Sequence, residues 1–404
     1  MQGEATTDLT RRRKKSKRGT PDFILLGMII MIVAFGVVMV YSASFYYCTN
    51  KGWSPIYFAK KQLMLGLLGV VAMLFITYRF DYHICTNRTL VRSFYWISLA
   101  AAASVKFIGI EANGAKRWIG LGPIQIQPSE FMKLAVVLMV SSYIIRNRST
   151  IHKFRTRMWA WLIVLLPAGV VTVLGSNLSS GIVIFGIGAL IIFAASPKIW
   201  YYFGIVLLGF LLIVGVRQLA INTPKGEDPN IPIVNKILKG YRLDRVRAWI
   251  DPFTDPQDDG YQSIQALYAV GSGGLFGKGL AQGVQKMGFL PEPYNDIIFA
   301  VICEELGLIG ALGLMLAYGI IVMRGMAIAM KAPDYSGAFI ALGISSMVGM
   351  QAIINVAVNT NTIPTTGMQL PLISYGGTAL VVLLATLGLL LNVSRYSSIE
   401  KLEK

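Results

Sequence analysis

Asp296 opens a long apolar stretch directly behind Pro291-Glu292-Pro293-Tyr294-Asn295, and Glu304 and Glu305 follow about two turns further in. Glu130 and Lys133 stand three residues apart inside another apolar stretch. An ionisable side chain at mid-membrane costs roughly 2.5–3.5 kcal/mol on insertion scales, so each of these is a functional candidate. Glu130 and Lys133 share one helix face at i and i+3 and can neutralise one another, as a structural pair or as part of a site. The prolines ahead of Asp296 favour a rigid approach and a helix start at Asn295, a good N-cap. Asp296 then falls in the first turn, at the membrane–water boundary. There it can complement the helix macrodipole or act as a general base. A helix N-terminus lowers a carboxylate pKa, whereas low-dielectric surroundings raise it toward the value a base needs. On these residues alone both roles stay open.

Gly271-Ser272-Gly273-Gly274-Leu275-Phe276-Gly277-Lys278-Gly279 invites comparison with a phosphate loop and fails it. Ser272 stands where the first Gly is required, and Gly279 where Ser or Thr is required. What remains is a backbone able to bend sharply with Lys278 as a cation, or a plain flexible turn. Upstream, Ile233, Val234, Ile237, Leu238, Tyr241 and Trp249 recur at helical spacing, with Lys236, Lys239, Arg242, Arg245 and Arg247 on the other face. That pattern suits a helix lying in the interface with its cations toward phosphates, or simple surface adhesion. A second helix is expected around Tyr261–Val270. Three scattered cysteines (Cys48, Cys85, Cys303) make neither a disulfide framework nor a zinc site.

The elements that position these residues follow from composition. Hydrophobic residues make up 54% of the 404, charged residues only 14%, against about 25% charged in a soluble domain. Soluble nucleotide-binding enzymes and nucleic-acid readers are thereby excluded, although the net charge is +17. The reading is an all-α polytopic membrane protein. About ten stretches meet the roughly 20 residues a bilayer requires. They lie near Phe23–Ala43, Phe58–Thr77, Phe94–Ile110, Ser129–Ile145, Met158–Leu174, Leu178–Ala195, Trp200–Val216, Asp296–Met323, Gly337–Val358 and Leu372–Val393. Lys and Arg concentrate in the N-terminal tail (Arg11–Arg18), in alternate short loops and in the C-terminal tail, which places both termini in the cytoplasm. Residues 1–21 are then a basic cytoplasmic tail, drawn to anionic lipid head groups. Residues 22–216 carry spans one to seven, and 217–295 form a large extracytoplasmic loop with interfacial helices. Residues 296–394 carry spans eight to ten, and 395–404 are a second cytoplasmic tail.

The motifs as a set resemble the SEDS family (shape, elongation, division and sporulation; FtsW, RodA and SpoVE). They are Tyr41-Ser42-Ala43-Ser44, Asn113–Ile119, Gln127–Lys133, Arg245–Pro252, Gly271–Gly283, Pro291–Ala300, Glu304-Glu305-Leu306-Gly307 and Pro371–Gly377, running in family order over nearly the whole chain. The basic tail leading to Pro21-Asp22 and the Pro-Glu-Pro-x-Asn-Asp stretch are more similar to the division and sporulation branch, and the chain looks FtsW-like. The resemblance implies ten spans, one large outer loop and a peptidoglycan polymerase in the bacterial cytoplasmic membrane, at the division septum. It implies that Asp296 is the catalytic aspartate and that Glu130 and Lys133 form a membrane-embedded pair required for activity. By the same resemblance Lys116, Arg117, Trp118, Glu292, Ser374, Gly376 and Gly377 fall in substrate-contacting motifs. One departure stands out: where many members carry an acid after Gln/Glu-Pro, this chain has Asn177 within Ser176–Gly181.

The substrate so implied is lipid II, with a polyprenyl-linked glycan as the growing chain. Asp296 takes the proton of the acceptor GlcNAc C4 hydroxyl as it attacks the donor MurNAc anomeric carbon, and polyprenyl diphosphate leaves with inversion. Arg117, Lys133, Arg245, Arg247 and Lys278 are the candidate cations for the diphosphate. Mg²⁺ could assist, since it binds phosphates with one or two carboxylates, but no dedicated metal-ligand cluster is visible. The expected partners are a class B penicillin-binding transpeptidase, other division membrane proteins and the lipid bilayer. Two rival functions use the same residues: a lipid II flippase and a non-enzymatic scaffold that recruits the transpeptidase. No clear internal repeat supports the flippase.

Overall fold

The computed structural model describes residues 19–112, 115–121, 124–196, 199–222, 241–258 and 260–397. Ten helices of eighteen or more residues occupy the apolar stretches. They are α1 (Phe23–Asn50), α2 (Tyr57–Arg79), α3 (Arg88–Ile108), α4 (Pro128–Arg146), α5 (Phe154–Val173), α6 (Leu178–Ala195), α7 (Ile199–Asn222), α10 (Ile298–Met330), α11 (Tyr335–Asn359) and α12 (Thr378–Ser397). All except α3 and α7 are apolar and long enough, as described, to cross a membrane. Two shorter helices, α8 (Tyr241–Ile250) and α9 (Tyr261–Ser272), belong to the loop between α7 and α10. The chain is a polytopic helical membrane protein. None of its three cysteines is paired with another.

Short polar side chains start the helices where the sequence offers them. Asp22, Asn87, Asn177 and Asp334 each accept a first-turn N–H, of Leu25, Thr89, Ser180 and Gly337 respectively. Asp22 also receives the Arg324 guanidinium, and its N–H donates to Ser394 Oγ, so the start of α1 is tied to α10 and α12. Gly19 and Arg395 exchange hydrogen bonds at the same end. Buried Asn392 donates there to the carbonyls of Ile76, Thr77 and Phe80 and accepts from Tyr82 N, closing the C-terminus of α2. The described start and end of the chain thus meet at one end of the bundle. Beside them His83 lies between Asp81 (2.7 Å) and Asp334 (3.3 Å).

Three features depart from the sequence reading. Between α3 and α4 lies a small antiparallel sheet, β1 (Ile110–Ala112), β2 (Ala115–Leu121) and β3 (Ile124–Ile126), in the order β1-β2-β3. β1 and β3 have three residues each, too few for a periodic signal, and the seven of β2 (Ala-Lys-Arg-Trp-Ile-Gly-Leu) do not alternate apolar with polar. Asn295 does not cap α10: its amide donates to Glu292 Oε2 at 2.6 Å, and the helix starts after Ile297 with no side-chain cap. Asp296 therefore sits in the turn ahead of the helix, not in its first turn. The first part of the proposed interfacial helix, residues 233–240, lies outside the described residues. Its last part, α8, directs cations at protein: Arg245 Nη1 donates to Thr365 O at 3.0 Å, while Val246 and Ala220 of α7 pack together.

α10 is broken at Gly307, whose φ of 66° is open to glycine. The segment Gly273–Leu290 fills the break as a strap. Lys278 N and Gly279 N donate to the Glu304 and Glu305 carbonyls, and Leu308 N and Ile309 N donate back to Gly274 and Leu275. The two intramembrane acids are satisfied in the same place. Glu304 accepts Lys278 Nζ (2.7 Å) and the backbone of Val284 and Gln285. Glu305 accepts Lys286 Nζ (2.5 Å), Ser42 Oγ (2.6 Å) and Ala281 N (3.0 Å). Buried acids persist only with such partners.

Candidate active site

At the end of the bundle opposite the described chain ends, a groove opens between β2, α4, α6, α11 and the segment ahead of α12. Arg117, Trp118, Gln127, Glu130, Asn177, Ser180 and Gln351 supply polar and aromatic groups; Leu370, Leu372, Leu380 and Leu383 supply apolar ones. The sheet presents Arg117 and Trp118. The N-terminus of α4 presents Glu130, whose carboxylate meets Lys133 Nζ at 2.7 Å as the i, i+3 spacing anticipated. The Lys133 side chain is almost wholly buried (1% exposed), so its ammonium serves Glu130 within the protein.

Asp296 lies behind the groove lining, next to Gly367 and Arg117, which form part of it, and its neighbours fix it from several directions. Tyr294 stacks on Phe58 with ring centroids 4.2 Å apart, and its carbonyl accepts Tyr375 N at 2.9 Å, holding the Pro291–Ile297 turn against α2 and the α12 approach. On the other side Asn355 donates to the Asp296 carbonyl at 2.8 Å. Beneath the carboxylate runs the segment Thr365–Met368, whose carbonyls accept Arg245 (Thr365 O), Ser179 (Thr366 O) and Asn355 (Met368 O). At its centre is Gly367, with φ +65°. A Cβ there would meet Arg117 Nη1 at 2.7 Å and Asp296 Oδ2 at 3.4 Å. The cation and the acid thus converge over a residue that has no side chain. Arg117 is oriented by Nε, which donates to Ser176 O at 3.1 Å.

Burial in this turn raises the Asp296 pKa above the ordinary carboxylate value, and Glu292 adds to the rise. The residue's own N–H, Arg117 and Arg245 oppose it without cancelling it. Arg117 and Arg245 act on the carboxylate through their charge. A half-buried acid with a raised pKa beside two guanidinium groups is a stronger proton acceptor than a free carboxylate. The same guanidinium groups can stabilise negative charge that develops on a neighbouring ligand.

The other residues singled out in the sequence are placed as follows. Ser374 and Gly376 line the groove, and Ser374 Oγ accepts Leu370 N at 2.8 Å. Gly377 has a φ of +54°, and Glu292, at φ +45°, closes the turn through Asn295. Lys116 lies in β2 opposite Glu111, and its side chain is outside the described residues. Arg247 pairs with Asp244 at 2.8 Å. Lys278 is not brought to the groove; Glu304 holds it. Asn177, the departure from the family pattern, caps α6 and lines the groove. Among the described residues no cluster of three or more His, Cys, Asp or Glu side chains could hold a metal ion. The described residues therefore form no all-protein cage for Mg²⁺. Sequence reasoning missed Lys286, Gly367 and the buried polar row Gln351, Asn355 and Asn359. Their spacing of four along an apolar span was the signal available.

The profile of the FtsW/RodA/SpoVE family, described as cell cycle protein, matches residues 23–399. The chain belongs to this family. Stage V sporulation protein E of Bacillus subtilis (strain 168) is 37% identical over 382 residues, covering 95% of this chain and 99% of that protein. A probable peptidoglycan glycosyltransferase FtsW of Trichlorobacter lovleyi is 34% identical, covering 95% of each chain. Among solved structures, a chain from a peptidoglycan synthase complex that coordinates polymerization and crosslinking aligns with a TM-score of 0.73, 26% identity and coverage of 93% and 98%. The rod shape determining protein RodA of Thermus thermophilus aligns with a TM-score of 0.64, 25% identity and coverage of 93% and 97%. The FtsW/RodA/SpoVE membership makes this a bacterial membrane protein, and the groove with Asp296 is its candidate active site.

Proposed function

We propose that the protein is a peptidoglycan glycosyltransferase that joins lipid II units at the outer face of the cytoplasmic membrane, in septal synthesis. The carrying observation is the convergence of the Asp296 carboxylate and the Arg117 guanidinium over Gly367, against the lining of a half-polar, half-apolar groove. The curated FtsW relatives bear the glycosyltransferase name, which supports the reaction class. Asp296 removes the proton of the acceptor GlcNAc C4 hydroxyl. The oxygen attacks the donor MurNAc anomeric carbon, the bond to the diphosphate breaks, and polyprenyl diphosphate departs with inversion. Arg117 and Arg245, the cations beside Asp296, offset the charge that builds on the leaving group. Glu130 and Lys133 shape the groove as a pair, and the leucine wall suits the lipid chain. Both termini are cytoplasmic in this reading. A class B penicillin-binding transpeptidase is the partner, as crosslinking accompanies polymerization in the aligned complex.

The test is polymerisation of lipid II by the purified protein with its transpeptidase partner. Asp296→Asn and Asp296→Ala should lose the ~10²–10⁴-fold a general base supplies while remaining folded. Normal polymerisation by the Asn variant would remove the base assignment. Flipping of lipid II with no polymerisation by either form would favour transport.

A further inference from the structure

We propose that Asn355 and Asn359 are positioning residues that keep Asp296 out of α10 and set its distance from Arg117; this rests on Asp296 being the base. The two asparagines lie one turn apart on α11, 0% and 2% exposed, with their amides aimed at the turn that carries Asp296. In an uninterrupted helix the Asp296 carbonyl would accept the N–H of Ala300, four residues on. Here the Asn359 amide stands between them: Nδ2 donates to Asp296 O at 3.1 Å and Oδ1 accepts Ala300 N at 3.1 Å. Ala300 N turns to Ile297 O instead, at 3.0 Å. One side chain thus replaces the hydrogen bond that would draw Asp296 into the helix. The absence of any side-chain cap on α10 has its explanation here, since α11 supplies the partner from outside.

Asn355 performs the complementary task. Its Nδ2 donates both to Asp296 O (2.8 Å) and to Met368 O (2.6 Å), joining the acid's backbone to the segment that holds Gly367. Arg117 Nη1 and Asp296 Oδ2 both face Gly367, so this bond fixes the frame in which acid and cation meet. Asn359 also donates to Asn355 O at 2.9 Å, which makes the two a single unit. A packing role alone would leave unexplained why both amides converge on the carbonyl of one residue, the one whose carboxylate lies against Gly367 beside Arg117.

The decisive variant is Asn359→Leu, close to isosteric. Asp296 O and Ala300 N can then satisfy each other, so α10 can grow back over Asp296 and swing its carboxylate while the fold persists. Lipid II polymerisation per folded molecule should fall about 100-fold in kcat, the cost of a displacement near 1 Å, with KM nearly unchanged. Asn392→Leu is the control: Asn392 is equally buried and makes four hydrogen bonds at the opposite end. It should lose stability and keep kcat per folded molecule. Wild-type kcat in Asn359→Leu, or an equal kcat loss in Asn392→Leu, would overturn the proposal. Should Asn359→Leu not fold, Asn359→Asp decides, since it keeps the acceptor for Ala300 N but not the donor to Asp296 O. Reduced kcat there supports positioning and full kcat overturns it. Asp296→Asn run in parallel separates the two readings. If it is inactive while Asn359→Leu is fully active, only the positioning role falls; if it is active, the base assignment itself falls.

Discussion

Gly367→Ala places one methyl group between the acid and the cation of the groove. The new carbon would lie 2.7 Å from Arg117 Nη1 and 3.4 Å from Asp296 Oδ2. Ordinary contact is about 3.5 Å, so the guanidinium must retreat by roughly 0.8 Å while the carboxylate barely moves. The displaced atom is the far end of a flexible side chain, so the clash is relieved locally and at small cost. The backbone adds its own penalty, about 1–2 kcal/mol for a non-glycine residue at this φ. Gly52 isolates that second contribution: its φ is +70° and a Cβ there meets nothing within 4 Å. Both alanine variants should therefore lose similar stability, read as the thermal midpoint of the detergent-solubilised protein. Only Gly367→Ala should lose turnover, by ~10–100-fold for a misplacement of this size, measured as glycan chains formed from lipid II per folded molecule. If the two variants are equally stable and Gly367→Ala retains full turnover, Arg117 and Asp296 do not act together over this residue.

Three further outcomes follow from the same geometry. The acid limb of kcat/KM should lie above the ordinary carboxylate value, because Asp296 is raised and only its deprotonated form is a base. Glu292→Gln removes the like charge that contributes to the rise and should move that limb to lower pH; a limb that stays put separates Glu292 from Asp296. Lys286→Met strands the buried Glu305 carboxylate and should cost about 3–5 kcal/mol, whereas adding Glu305→Leu should restore much of it; additive losses in a chemical-denaturation cycle would contradict the pairing. His83 is raised first by its hydrogen bond to Asp334 and also by Asp81; burial pushes both acids up, but the His83 side chain together with their other hydrogen-bond donors (the His83 N–H and Tyr396 for Asp81, the Gly337 N–H and Tyr82 for Asp334) leaves both lowered. A raised histidine contributes stability that is complete below its unfolded value of about 6.5 and is lost as pH rises through the higher folded value. The lowered acids contribute above their unfolded value near 3.9 and lose it as pH falls. The thermal midpoint should therefore gain from this clamp between roughly pH 4 and pH 6.5, by no more than about 1 kcal/mol given its exposure. His83→Gln should flatten that dependence.

Much of this was legible in the sequence because the signals are local. Apolar stretches of bilayer length mark ten helices, and three-residue spacing puts Glu130 beside Lys133. Prolines before an acid mark the approach to α10, but not the turn that leaves Asp296 ahead of the helix. What was not legible depends on contacts between distant segments. Ser42 and Lys286 meet Glu305 across 263 and 19 residues, and no pattern around Lys286 announces a buried ammonium. The glycine-rich stretch reads as a flexible turn until the break at Gly307 is seen to need it. Asn295 has the right chemistry for a cap, but Glu292 and the α11 asparagines compete for the local hydrogen bonds and win. The three-stranded sheet is set by pairing between strands of three and seven residues.

The strap across α10 also constrains how the chain is made. Ribosomes deliver Gly273–Leu290 before Glu304 and Glu305, so both ammonium groups are synthesised ahead of the carboxylates they neutralise. An α10 that enters lipid before the strap has docked carries two uncompensated acids, at roughly 2.5–3.5 kcal/mol each. It also carries unpaired peptide groups where its own ladder is interrupted. The part of this helix around Gly307 is therefore satisfied only in the company of the segment that precedes it, so the order in which strap and span reach the bundle bears on how readily the span is accommodated.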